Sequence, residues 1–249
     1  MFPMKKIRIL LVALGLFQSC QTSGDAAISP SGNGVGGSLA RFTLGDGFLY
    51  TVSTLDLTVF DLKTPSSPNK LKTINLGFGA ETIFPYKDFL YIGTQTGMKI
   101  YDNKDQSNPK LLSTYTHILS CDPVVVQGNY AYVTLRSGTN CQRGQNSLDI
   151  VDVSKPANPQ LIKSISMQNP HGLAVDGNNL FVCEGTFGLK SFDITDPLNP
   201  ILREFLTNVV SYDVIPSEKK LIVTGKDGIY QYDYSQVKSM ELISKILIE

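Results

Sequence analysis

The sequence has 249 residues, 42% hydrophobic and 18% charged, with 22 basic and 22 acidic side chains. That length allows one large domain or two small ones. The balanced charge, with no dominant basic patch, argues against a nucleic-acid partner. No apolar run approaches the ~20 residues a membrane-spanning helix needs.

The N-terminus differs from the rest. Lys5, Lys6 and Arg8 precede an apolar run from Ile9 to Phe17, too short to cross a bilayer. Basic residues before a short apolar segment predict a signal peptide over residues 1–19. Its end reads Leu16-Phe17-Gln18-Ser19-Cys20 and resembles a bacterial lipoprotein processing site. That resemblance implies cleavage before Cys20 and acylation of its sulfur, although Gln18 stands where a small residue is usual. The alternative is a soluble secreted protein. Several acyl chains together anchor firmly, each buried CH2 contributing about 0.8 kcal/mol. Loss of the leader removes three positive charges and leaves 19 basic against 22 acidic side chains. Residues 20–39 then read as a tether rich in Gly and Ser.

Beyond residue 40 the chain repeats itself. Tyr50, Tyr91, Tyr132, Phe181 and Ile222 close short apolar runs at gaps of 41, 41, 49 and 41 residues. Asp61, Asp102, Asp152, Asp193 and Asp233 end a second set of runs, and Pro68, Pro109, Pro159 and Pro200 each follow an Asp by seven residues. A period near 40 indicates a solenoid or a propeller. Each unit holds four short runs of Val, Ile, Tyr and Phe separated by Gly, Asn, Asp and Pro, which predicts four strands and a propeller blade. The fold expected is therefore all-β: a five-bladed propeller of four-stranded antiparallel blades, at about 40–76, 77–117, 118–167, 168–207 and 208–249. Each blade is contiguous in sequence, so packing of blade one against blade five has to close the ring. The recurring Asp is expected to cap the turn that follows it. Gly97, Gly188 and Gly228, before each third strand, are expected at positive φ.

Leu148-Asp149-Ile150-Val151-Asp152 through Pro159, and Gly188 through Pro200, resemble the signature of LVIVD-repeat proteins. Weaker copies lie at Leu57–Pro68 and Met98–Pro109, so the resemblance spans residues 40–249. It implies a propeller on a bacterial exported or surface protein and implies no activity. The expected location is the bacterial cell envelope, lipid-anchored, most naturally at the outer membrane. The expected role is a binding or scaffold module for an envelope protein, a peptide or a glycan.

Four cysteines are present. Blade three carries nine extra residues between Tyr132 and Asp152, in a loop that contains Cys141; Cys121 precedes the first strand of the same blade. Both loops emerge on one face of a propeller, which predicts a Cys121–Cys141 disulfide worth roughly 3 kcal/mol; the alternative is two free thiols. Cys183 is left as a buried apolar side chain.

Ligands of propellers sit over the central channel. Counting back ten positions from the Tyr landmark places Glu81, Asp122, His171 and Tyr212 around its mouth, with Arg41 and Asp213 one position on. The long loop of blade three can add Arg136 and Arg143. Three uses are open. The groups cap loops, or they bind a small polar ligand, peptide or sugar with help from Tyr86 and Tyr212, or Glu81, Asp122 and Asp213 act as acid and base in a glycoside or lactone hydrolase. A cation held by Glu81, Asp122 and His171 is a minor variant. No cofactor motif is present, and no cofactor or metal is expected.

Overall fold

The computed structural model describes residues 37–116, 123–137, 146–236 and 239–248. Cys20, Cys121, Asp122, Cys141 and Arg143 lie outside these residues. Every regular element described is a strand. Blade 1 comprises β1 (Phe42–Gly45), β2 (Phe48–Val52), β3 (Asp56–Asp61) and β4 (Asn69–Asn75). Blade 2 comprises β5 (Ala80–Tyr86), β6 (Phe89–Thr94), β7 (Gly97–Asp102) and β8 (Lys110–Thr116). Blade 3 follows with β9 (Val124–Gln127), β10 (Tyr130–Leu135), β11 (Ser147–Asp152) and β12 (Gln160–Ser166). Blade 4 has β13 (Leu173–Asp176), β14 (Asn179–Cys183), β15 (Leu189–Asp193) and β16 (Ile201–Leu206), and blade 5 has β17 (Ser211–Ser217), β18 (Lys220–Gly225), β19 (Gly228–Asp233) and β20 (Glu241–Leu247). Each blade is one antiparallel meander in chain order, without strand exchange. Neighbouring blades meet along their first strands, β1 with β5, β5 with β9, β9 with β13 and β13 with β17.

The turn chemistry follows the repeat. The side chains of Asp61, Asp102, Asp152, Asp193 and Asp233 each accept the backbone N–H two residues later, at 2.7 to 3.0 Å. This Asx turn ends the third strand before the polar loop to the fourth. Gly97, Gly188 and Gly228 have φ of 147°, 129° and 139°. A Cβ at each would stand 1.9 to 2.0 Å from a carbonyl oxygen of the neighbouring fourth strand, so a side chain is excluded by conformation and by space together.

Packing between blades supplies the core. Tyr91, Met98 and Ile100 of blade 2 bury against Val124, Val133 and Val151 of blade 3. The opposite face of blade 2, with Ile83, Leu90, Ile92 and Tyr101, buries against Tyr50, Leu57 and Val59 of blade 1. Equivalent clusters fill the seams between blades 3 and 4 and between blades 4 and 5. A fully buried aromatic or Leu side chain contributes roughly 1.5–3 kcal/mol, so the seams carry most of the stability. The ring tyrosines keep their hydroxyls paired or near the rim: Tyr50 Oη donates to the Gln106 carbonyl at 3.0 Å. Burial pushes the Tyr50, Tyr91 and Tyr132 phenols up to about 12.

Polar clasps reinforce each seam at one repeated position, eleven residues after the capping Asp. Lys72 reaches Asn108 of blade 2. Ser113 donates to the Pro156 carbonyl of blade 3 at 2.5 Å, and Lys163 donates to Asn199 of blade 4 at 2.9 Å. Glu204 accepts the Met240 N–H of blade 5 at 2.6 Å. The fifth equivalent, Ser244, turns back to Gln231 of its own blade at 3.3 Å.

The seam expected between blade 5 and blade 1 is not packed as the other four are. Among the described residues no core cluster joins them, and their facing sides are exposed. Phe42 is 59% and Leu44 40% exposed, where the blade 2 equivalent of Phe42, Ile83, is 2%. Ile222 and Ile229 are 38% and 39% exposed, against 2% and 0% for their equivalents Tyr91 and Met98. Strands β2, β3, β18 and β19 accordingly alternate buried with more accessible residues, whereas β6, β10 and β14 are buried on both faces. Among the described residues the two ends are bridged at the axis: Ser38 Oγ lies 3.4 Å from Asp213 Oδ1 of blade 5 and also accepts the Leu173 N–H of blade 4 at 2.7 Å.

Glycine substitutions separate the two constraints on backbone shape. Gly188→Ala forces a Cβ into the Leu206 carbonyl and should cost more than about 2 kcal/mol. Gly128→Ala, at φ 63° with open space around it, should cost only about 1 kcal/mol. Urea unfolding of both variants tests this; equal midpoints would refute the steric account.

Candidate site at the channel mouth

Two kinds of segment converge at one end of the channel: those that lead into the first strands, and the turns between second and third strands. His171 lies just ahead of β13. Its N–H donates to the Cys183 carbonyl at 2.7 Å, and its own carbonyl accepts from Thr134 Oγ1 at 2.6 Å. These bonds fix the ring between blades 3 and 4. Nε2 stands 3.4 Å from Arg136 Nη1, and the ring lies 5.4 Å from that of Tyr212 at 47°. Burial, and after it the Arg136 charge, hold the imidazole down at about 4, so it is neutral at pH 7 and offers a lone pair to the guanidinium. Burial likewise lowers Arg136, while Glu81 acts in the opposite sense. Gly185 makes room for this pair. A Cβ there would lie 2.5 Å from Asn169 Nδ2 and 2.8 Å from His171 Nε2.

Glu81 sits at a bulge at the start of β5 and accepts from Gln95 Nε2 at 3.0 Å. Tyr212 occupies the matching bulge of β17, and its carbonyl accepts the Gly172 N–H at 2.8 Å. Asp213 points inward. Its carboxylate meets Ser38 and the backbone amides of Ser38, Leu39 and Val214, yet burial outweighs these donors and holds it up at about 6. Gly37 and Gly172 leave its oxygens their space, with 2.0 and 2.2 Å to a hypothetical Cβ.

The structure thus brings Arg136, His171 and Tyr212 together, puts Glu81 close enough to act on Arg136, and turns Asp213 onto the chain entering blade 1. Arg41 is exposed and is not part of this group. Tyr86 ends β5 at the opposite rim, where its hydroxyl accepts the Gly128 N–H at 2.7 Å, so it cannot pair with Tyr212 as a stacking platform. The distance along β5 from Glu81 to Tyr86 is the reason. Cys183 is a buried free thiol that burial pushes up, which suits a core residue. Among the described residues no three His, Cys, Asp or Glu groups converge on a common point for a metal.

Two functional positions escape the ring count. Ser38, assigned by composition to the tether, is 1% exposed and belongs to the fold. Glu184 is fully buried, paired with Lys190, and accepts the Asn169 and Gln168 N–H groups at 2.7 and 3.1 Å. It locks the segment that carries His171. A signal existed: the repeat puts Thr94, Leu135 and Gly225 at the same register position, and a charge there needs a buried partner.

Residues 120–166 match the LVIVD repeat. The match covers blade 3, the unit with the sequence Leu-Asp-Ile-Val-Asp on β11. No curated protein matches the sequence. Similar solved structures include a protein from Lactobacillus plantarum, 12% identical, with a TM-score of 0.66 over 82% of this chain and 69% of that one. The periplasmic gluconolactonase PpgL of Pseudomonas aeruginosa is 10% identical, with a TM-score of 0.64 over 84% of this chain and 68% of that one. Apo AztD from Citrobacter koseri is 12% identical, with a TM-score of 0.61 over 83% and 61%. At such identities the likeness is one of fold. The chain spans 61 to 69% of the length of these three structures.

Opposed titrations give the site a pH signature. Between about pH 4 and 6 unfolded Asp213 releases a proton that the folded residue keeps, so its contribution to stability falls as pH rises. Between about pH 4 and 6.5 unfolded His171 is protonated while the folded residue is neutral, so its contribution rises. The two offset each other in the parent protein. Asp213→Asn should leave stability rising across this window, and His171→Gln should leave it falling. Each slope should amount to about 2 kcal/mol after allowance for partial solvent screening. Denaturant titrations at several pH values measure both; parallel profiles in the two variants would contradict the assignment.

Proposed function

We propose that this LVIVD-repeat propeller is a recognition module of the bacterial cell envelope, exported, held by a lipid on Cys20, and binding an anionic or polar group of a peptide, glycan or envelope protein at its channel mouth. The observation that carries this reading is the half-buried Arg136 beside a neutral His171, whose ring in turn lies against that of Tyr212. A guanidinium positioned by a fixed imidazole is suited to grip a planar anion, and the Tyr212 ring on the far side of that imidazole bounds the site. Backbone bonds to His171 on both sides preorganise the site, which lowers the ordering cost of binding.

A hydrolase that uses Glu81, Asp122 and Asp213 is the other reading, and the fold likeness to a gluconolactonase keeps it testable. The arrangement of the described carboxylates favours it less. Glu81 is engaged by Gln95, and Asp213 faces the chain at Ser38 and Leu39. Paired catalytic carboxylates need about 5–10 Å between them over an accessible substrate.

Binding is measured by retention of envelope extract on immobilised parent protein and on Arg136→Ala. The variant should lose at least tenfold in retained ligand while its melting temperature stays within a few degrees. Equal retention by both would remove Arg136 from the binding surface. Turnover on a glycoside and lactone panel that disappears in Glu81→Gln would replace the binding role with the hydrolase. Metabolic labelling with palmitate tests the anchor, which should be lost in Cys20→Ala.

A further inference from the structure

The unfilled seam is the strongest unassigned feature of the molecule. We infer that the exposed outer faces of blades 1 and 5 are docking faces for each other in different copies of this chain, which join head to tail. The occupant follows from the four seams already filled. At every one of them the face built from the Tyr91-type landmark meets the face built from the Ile83, Leu90, Ile92 and Tyr101 type. Blade 5 carries the first kind, with Ile222 and Ile229 exposed and Ile215 half-buried. Blade 1 carries the second, with Phe42 exposed and Leu49, Thr51 and Phe60 half-buried. These positions correspond to seam positions of blade 2, at offsets of 41 and 131 in sequence, all of them buried there except Phe84, the half-buried equivalent of Ile215.

Each exposed face is therefore one half of an interface that the same chain completes four times over. An apolar sheet face of this size on a soluble domain marks an interaction surface. The clasp position gives the same direction. Ser244 of blade 5 is the equivalent of Lys72, Ser113, Lys163 and Glu204, each of which reaches the next blade, and it bonds only within its own blade. A following blade 1 would offer it the turn at Thr64–Pro68. Residues 21–36 are rich in Gly and Ser and contain few large apolar side chains.

The composition of the two faces also suits a contact that forms between soluble copies. Thr51 replaces the Ile92, Val133, Val182 and Val223 of the other blades, and Gln231 stands where blades 1 to 3 have Val59, Ile100 and Ile150 and blade 4 has Ser191. Such softening keeps a face tolerable in water, as in interfaces that assemble from folded subunits. A head-to-tail contact is heterologous. It closes into a ring if the rotation permits and continues as an open series if it does not; both use the same seam.

Two charge insertions at exposed positions test the inference without disturbing the filled seams. Phe42→Glu spoils only the blade 1 face and Ile229→Glu only the blade 5 face. The full chain should show by light scattering at micromolar concentration a mass at least twice that of the monomer, and each variant alone should be monomeric. An equimolar mixture of the two should recover a heterodimer, because Phe42→Glu retains an intact blade 5 face and Ile229→Glu an intact blade 1 face. Circular dichroism and melting curves of both variants should match the parent. A monomeric parent chain overturns the inference. So does association that survives either single variant, since it would arise from like faces or from the apolar leader. Failure of the mixture to recover the heterodimer also overturns it.

Discussion

Burial of one blade face against the next is the constraint on which the rest of this structure depends. A four-stranded sheet cannot stand alone in water with both faces apolar, and each inner blade here has two apolar faces. The sequence period keeps those faces in register. Positions 41 residues apart, such as Leu49 and Leu90 or Tyr50 and Tyr91, occupy the same place in successive sheets, so each sheet offers its neighbour the surface that neighbour was shaped to meet. The axis at the channel is a consequence. First strands approach one another there, and the segments leading into them bring Glu81, His171, Tyr212 and Asp213 to one end.

The mouth inherits its electrostatics from the same packing. His171 stays neutral because it is buried between two blades and sits beside Arg136, and Asp213 keeps its proton to higher pH because burial dominates over the amides around it. Both groups are held by main-chain bonds that belong to the blades rather than to flexible loops. Geometry at the mouth is therefore set by seam packing, and a substitution in a seam should be felt at the site.

Local turn chemistry and strand count were legible in the sequence because each is decided within a few residues. Asp61 to Asp233 cap their turns through an N–H only two positions away, and Gly97, Gly188 and Gly228 meet a neighbouring strand of their own blade. The candidate ring was legible in part, through the count from the Tyr landmark, which found His171, Tyr212 and Asp213. What the count could not resolve was side-chain direction. Arg41 turns to solvent, Asp213 turns inward to Ser38, and the Arg136–His171 contact crosses between blades. Glu184 showed itself only as an odd residue at its register position. Its partners, Lys190 and the backbone at Gln168 and Asn169, are brought to it by the fold.

Ring closure was illegible for a different physical reason. Closure depends on the angle between successive blades, and a residue's type scarcely reports that angle. Phe42, Leu44, Ile222 and Ile229 have the character of seam residues, and a periodic reading fills the last seam with them by symmetry. The substitutions that distinguish these faces are small: Thr51 for a branched aliphatic, Gln231 for Ile, Ser244 at a clasp position without a partner blade. Each lowers the cost of exposure without abolishing the capacity to pack. A repeat protein that keeps its terminal faces so near to the composition of its interior ones retains the chemistry of a seam at both ends. Among the described residues, Ser38 and Leu39 meet Asp213 at the axis, and this contact leaves Phe42, Ile222 and Ile229 accessible.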